Sequence, residues 1–142
     1  MMNLTFNPTA GRLMLVRQSL AELHRALLDA ERRELERETG RLASAQYLKF
    51  LLEDPRFLWL RPVGRMVATL DGAMHEAAKS GAALTEDGVR NLCGQVAELI
   101  VVRTSLEGGY RYRDWLQRDP DVVLAHAALA AALRPGPTQL AA

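Results

Sequence analysis

The chain has 142 residues, of which 49% are hydrophobic and 25% charged, a balance typical of one globular domain rather than a disordered segment. Lysine and arginine number 18 against 17 aspartates and glutamates, so the net charge of +1 gives no electrostatic basis for binding nucleic acid or an anionic membrane. Cys93 is the only cysteine, which excludes an intramolecular disulfide and favours a reducing compartment.

The sequence further predicts a soluble, cytoplasmic protein. Residues 1–8 have neither the basic start nor the apolar stretch of a signal peptide. The longest apolar run, 122–133, is about 12 residues long, whereas a membrane-spanning helix needs about 20. We expect one domain over residues 9–134, with flexible termini at 1–8 and 135–142.

The first predicted helix begins after Pro8 or Thr9 and ends near Thr39, before Gly40. Its apolar residues recur at alternating steps of three and four, which predicts a heptad-like seam: Leu13, Val16, Leu20, Leu23, Leu27 and Ala30. A helix of about 45 Å exceeds the width of a small domain. Either a second copy covers part of this seam or the charged end projects into solvent, where we expect Glu31 and Glu34 to lie among arginines.

The remaining segments also show the 3.6-residue period of helices. A second helix is predicted over Arg41–Glu53, with Leu42, Ala45, Leu48 and Leu52 as its apolar face. A short turn over 56–61 leads to a third helix, which begins at Pro62 and is stopped by Gly81, and a fourth helix has Thr85 as its N-cap. After a break at Gly108-Gly109, a short helix over Tyr110–Arg118 and a last helix from Asp119-Pro120 to Leu133 complete the chain order. The predicted fold is therefore an all-α bundle of four to five main helices, with a long N-terminal helix and short connecting helical turns.

Three stretches, 23–32, 51–62 and 118–127, resemble an uncharacterised family of small bacterial helical proteins. They are spread over most of the chain. The resemblance implies a bacterial source and an all-helical fold, and it transfers no catalytic residue.

A candidate binding site lies in the segment Asp54–Pro62. Phe57 and Trp59, bracketed by Arg56 and Arg61, could form a pocket for a small anionic ligand or a partner's carboxylate, with His24 nearby. The alternative is that Phe57, Leu58 and Leu60 close the end of the bundle while both arginines pair with neighbouring acids.

A second candidate, Tyr110-Arg111-Tyr112-Arg113 close to Trp115, alternates aromatic and basic residues as single-strand nucleic-acid sites do. On a helix, however, Tyr112 and Trp115 would face inward and Arg111 would face water. Because the net charge is close to zero, a nucleic-acid accessory factor is the weaker prediction.

The sequence contains no recognisable residue pattern of a catalytic site. The histidines His24, His75 and His126 fall on three different predicted helices, without the ligand spacing of a metal-binding bundle. Cys93 lies on an apolar helix face, as an inert buried thiol does. We therefore predict no catalytic residue, no metal and no cofactor.

The leading prediction is a non-enzymatic protein–protein interaction module that forms a homodimer or binds another protein. Its candidate contacts are the seam residues Leu13, Val16, Leu20, Leu23 and Leu27, together with Ala127 and Ala130 of the nearly wholly apolar last helix. The C-terminal Leu140-Ala141-Ala142 resembles the end of a bacterial degradation tag, which a tail could present to a protease.

Overall fold

The structure, a computed structural model, describes residues 8–82, 84–105 and 110–134. Over these residues the chain forms seven α-helices and no β-strand, which confirms the predicted all-α fold with a long N-terminal helix. The helices are α1 (Pro8–Thr39), α2 (Ser44–Glu53), α3 (Pro55–Leu58), α4 (Arg61–Ser80), α5 (Glu86–Ser105), α6 (Tyr110–Arg118) and α7 (Pro120–Leu133). Within this part of the chain, no helix combines the length and apolarity needed to cross a membrane.

Several predictions fall on residues that the structure does not describe. They are the flexible N-terminus predicted at 1–8, of which the structure describes only Pro8 as the start of α1, the flexible tail at 135–142, the Gly108-Gly109 break and the degradation signal at Leu140-Ala141-Ala142. These remain predictions.

Local signals set most helix ends. Gly40 and Gly81 follow α1 and α4 with φ of 85° and 74°, a left-handed conformation that glycine adopts without a steric penalty. The Thr85 hydroxyl accepts a hydrogen bond from the Gly88 amide (2.9 Å), as expected of the α5 N-cap. The Asp119 carboxylate accepts from the amides of Asp121 and Val122, which caps α7.

The core surrounds α1, which packs most extensively on α7 and then on α4 and α5. All five seam residues named as candidate dimer contacts, Leu13, Val16, Leu20, Leu23 and Leu27, have 0% of their surface exposed within a single chain. The chain's own helices therefore cover the seam. Self-association stays a prediction, and in this conformation it requires another surface.

Two arginines of α1 show that α1 and α7 run antiparallel. Near the start of α1, Arg12 Nη2 donates to the Leu133 carbonyl at the end of α7 (2.9 Å). Near the other end of α1, Arg33 Nη2 donates to Asp119, immediately before α7 (2.5 Å). The register between these two points decides which side chains of the two helices lie side by side.

The second helix differs from its prediction, since it begins at Ser44 rather than Arg41 and has no buried residue. Leu48 and Leu52 of the predicted apolar face are 53% and 55% exposed. The physical reason is that Tyr47 anchors α2 by its opposite edge: its ring meets Phe57 edge-on (5.7 Å between centroids) and lies under the Arg32 guanidinium (4.1 Å). These contacts leave the leucine edge facing solvent.

Candidate functional site

A buried carboxylate, Glu31 of α1, is the centre of the most concentrated polar cluster among the described residues. Its Oε2 accepts hydrogen bonds from the indole nitrogens of Trp59 (3.1 Å) and Trp115 (2.9 Å) and from Nε of Arg111 (2.7 Å). Its Oε1 accepts from Nη2 of Arg111. We call Glu31, Trp59, Arg111 and Trp115 the Glu31 cluster.

The cluster joins three parts of the fold, because its members lie on α1, on the turn between α3 and α4, and on α6. Glu31 is 0% exposed, and a buried charge is tolerated only where it is paired and hydrogen-bonded. The hydrogen bond from Arg111 to this carboxylate raises the pKa of the guanidinium above its usual value. The two indole N–H groups and the two N–H groups of Arg111 are all engaged by the one carboxylate of Glu31. The cluster therefore holds helices together rather than offering an open site.

This geometry corrects two sequence-based predictions. Glu31 was expected on the solvated surface and Arg111 was expected to face water, and both expectations are wrong. A signal for the first was present in the sequence: Glu31 lies four residues after Leu27 and four before Leu35, on the same side of α1 as the seam. Tyr112 and Trp115 face inward, as predicted.

The corner Asp54–Pro62 does not gather its candidate binding residues around one space. Phe57 and Leu60 are buried, and Trp59 belongs to the Glu31 cluster. Arg56 Nη2 donates to Glu38 (2.8 Å), whereas Arg61 Nη2 donates to the Leu52 carbonyl (2.8 Å). Phe57 and Leu60 are buried and Leu58 is half-buried, as a closed end of the bundle would require. Of the two arginines that the alternative paired with acids, Arg56 does so, whereas Arg61 binds a backbone carbonyl.

The last residue of that candidate site, His24, packs against another helix. Its ring lies so close to Gly64 of α4 that a Cβ at Gly64 would meet the imidazole at 3.2 Å. Burial lowers the pKa of His24, which favours the neutral ring at this contact. His24 therefore serves the packing of α1 on α4.

Another histidine, His126 of α7, is paired with the buried Tyr112. The tyrosine hydroxyl lies 2.7 Å from His126 Nδ1 and can donate to it when the imidazole proton is on Nε2. Burial lowers the pKa of His126 and raises that of Tyr112, so both groups favour their neutral forms. His75 lies exposed on α4, and within the described ranges no three His, Cys, Asp or Glu side chains come together as metal ligands would.

An uncovered apolar surface lies on α7. Its members are exposed and point away from the core, and we call them the outer face of α7: Val123, Leu124, Ala127, Ala128 and Ala131. Leu124 is 69% exposed. Of the two alanines predicted to take part in self-association, Ala127 belongs to this face and Ala130 lies half-buried beside it.

A groove of about 330 Å³ borders this face, between α1 and α7. Its α1 side carries mixed charges, with Glu22, Arg25, Asp29 and Arg33, and its α7 side consists of Asp121, Leu124, Ala125 and Ala128. The periodicity of α7, apolar nearly all round, did not predict which side chains would remain uncovered. That depends on where α1 comes to lie.

No protein-family model, curated protein or solved structure matches the chain. The resemblance to a family of small bacterial helical proteins therefore stays a prediction. The functional argument depends on the described geometry.

Proposed function

We propose that this protein is a non-enzymatic interaction module that self-associates through the outer face of α7. The observation that carries the proposal is the exposure of Leu124 on a helix without a charged residue between Asp121 and Arg134. A helix that is apolar nearly all round is normally covered on every side, whereas α7 packs mainly on α1 and α6 within the described ranges and its outer face stays exposed. A second copy of the chain would remove the remaining face from water.

The contact should be modest in strength. Fourteen residues make α7 about 21 Å long, which is short for an interface that must bury about 800 Å² on each partner. We therefore expect a homodimer that dissociates in the micromolar range. A cytoplasmic location is part of the proposal, and it is supported by the burial of Cys93, the one cysteine of the chain.

Molar mass by light scattering after size-exclusion chromatography, over a hundredfold range of concentration, tests the proposal. The wild type should shift from monomer to dimer, and Leu124→Glu should remain a monomer because the new charge cannot be buried unpaired. Leu48→Glu is the matched control, since it places the same charge on an exposed leucine of α2 and should dimerise like the wild type. A wild type that stays monomeric, or a Leu124→Glu variant that dimerises normally, would refute the proposal.

A binding site for a small anion at the corner is the second candidate, and one observation favours it. Nη1 of Arg56 is buried and has no hydrogen-bond partner among the described residues. Inorganic phosphate should then raise the melting temperature of the wild type but not that of Arg56→Gln, with Arg65→Gln, on the exposed side of α4, as the control. Equal responses from all three proteins would exclude a site at Arg56.

A further inference from the structure

The charges at the two ends of α7 are opposite, and they bear on how two copies would meet. Asp121 lies exposed in the first turn, and Arg134 lies exposed at the C-cap. In a parallel pair of α7 helices, Asp121 would lie beside the Asp121 of the other copy and Arg134 beside the other Arg134, so like charges would meet. An antiparallel pair would place each Asp121 near the partner's Arg134, and it would also oppose the two helix dipoles favourably.

We infer that two copies pair antiparallel along α7, about a two-fold axis that passes close to Ala127 and Ala128. The inference rests on the proposed function, because it concerns the same face of α7. The midpoint between Asp121 and Arg134 falls between these two alanines, whose small side chains let two helix backbones approach closely. A two-fold contact is self-complementary, so each charge pair and each apolar contact occurs twice.

The same arrangement would also cover Leu15, a second exposed leucine. Leu15 is 53% exposed, and it precedes Glu22 by two helical turns, so it lies on the side of α1 that borders the groove. The bond from Arg12 to the Leu133 carbonyl places this part of α1 beside the last turns of α7, near Ala131. About the proposed axis, Ala131 lies opposite the partner's Leu124. Two leucines that are exposed in one copy, Leu15 and Leu124, thus meet across the pair.

Cysteine cross-linking distinguishes the two directions. In an antiparallel pair, position 127 of one copy lies next to position 127 of the other, so Ala127→Cys should form a disulfide-linked dimer under mild oxidation. Ala131→Cys, one turn further along the same exposed face, would be displaced from its copy by about 10 Å along the axis, beyond the reach of a disulfide. In a parallel pair both variants would cross-link equally, and that result would overturn the inference.

A charge exchange gives a second, reversible test. Asp121→Arg alone and Arg134→Asp alone each create two like-charged pairs, so each variant should dimerise roughly tenfold more weakly than the wild type. An equimolar mixture of the two variants restores both attractive pairs in the heterodimer, and its affinity should return to within about threefold of the wild type. Thermal melts at low concentration control for effects of Asp121 on α7 itself.

The outcomes separate the two proposals. If Leu124→Glu abolishes the dimer but the mixture is no tighter than either variant alone, the face is correct and the antiparallel arrangement is wrong. If Leu124→Glu dimerises normally, or the wild type is monomeric throughout, the face itself is wrong and the inference fails with it.

Discussion

Glu31 illustrates how one polar residue can determine the relative placement of several helices. Its carboxylate lies at full burial, where water cannot compensate an unmet charge, so the two indoles and Arg111 must all reach it. Trp59 and Trp115 arrive from sequence positions far from α1 and from each other. A packing that misplaced α6 or the turn that carries Trp59 would leave a buried carboxylate short of donors, and this disfavours alternative arrangements.

Removing the carboxylate should be costly. We expect Glu31→Ala to lower the free energy of unfolding by about 3–5 kcal/mol, because Arg111 would remain charged without its partner and both indoles would lose their acceptor. Urea unfolding followed by circular dichroism measures this. Glu34→Ala is the control, since Glu34 is only partly buried and meets Arg118 at 3.5 Å, and it should cost less than about 1 kcal/mol.

The same variant offers a more specific test. Glu31→Ala leaves a space surrounded by three donor side chains, which a small carboxylate can enter, so formate should raise its melting temperature more than that of the wild type. If Glu31→Ala cannot be purified folded, Glu31→Gln keeps one acceptor oxygen and should be intermediate in stability. A loss below about 1 kcal/mol for Glu31→Ala would show that the cluster does not stabilise the fold.

Two half-buried histidines predict how stability depends on pH. Burial lowers the pKa of His24 and of His126 below the unfolded value of about 6.5, so the unfolded chain binds more protons than the folded one in acid. Their contribution is therefore complete above about pH 6.5 and is lost as the pH falls through the folded-state values. The free energy of unfolding should fall as the pH is lowered below about 6.5.

Comparison of the wild type with His24→Asn/His126→Asn checks this attribution. The double variant should be less stable at pH 7.5, but its stability should change less on acidification to about pH 5. His75→Asn, which alters an exposed histidine, should follow the wild type. If the double variant loses as much stability in acid as the wild type, other groups are responsible.

At the scale of the helices, the dipeptide Asp-Pro is used twice, before α3 and before α7, with different consequences. In each case the aspartate is the N-cap and proline occupies the first turn, where its missing N–H costs no hydrogen bond. Asp54 accepts one backbone amide, from Arg56. Asp119 is buried, accepts two amides and also binds Arg33 of α1, so it fixes α7 against α1 as well as starting it.

This difference predicts unequal effects for two equivalent substitutions. Asp119→Ala should lower the free energy of unfolding by about 2–3 kcal/mol, since it removes a cap and a partly buried charge pair. Asp54→Ala removes only the cap of a four-residue helix and should cost about 1 kcal/mol or less. Chemical denaturation of both variants measures the two losses in free energy of unfolding. Equal losses would mean that the contact with Arg33 adds nothing to the cap.

At the scale of the whole molecule, the sequence predicts helix ends better than helix neighbours. The limits of α1 and α7 and the end of α6 follow from glycine, proline and Asp-Pro, which act through local backbone geometry. Burial of Glu31 and exposure of Leu48 run against residue type, because both depend on which helix comes to lie alongside. The outer face of α7 is of the same kind: its apolar residues could be read from the sequence, but not which of them α1 would cover.

The peripheral position of α2 leads to a prediction about local stability. This helix has no buried residue and packs chiefly on the four-residue α3, whereas α1 and α7 enclose the main core. Its amides should therefore exchange with solvent through a local opening of lower free energy than global unfolding. Hydrogen exchange measured by mass spectrometry or NMR should show α2 to be less protected than the middle of α1 and the middle of α7.

The contacts of Tyr47 should set the free energy of this local opening of α2. Tyr47→Ala removes both its ring contact with Phe57 and its contact with Arg32, so it should accelerate exchange throughout α2 while leaving the middle of α1 unchanged. Leu48→Ala, one residue away but exposed, is the control and should have little effect on either helix. Protection of α2 equal to that of α1 would instead mean that α2 opens only with the whole core, and that its attachment through Tyr47 is stronger than two peripheral contacts can supply.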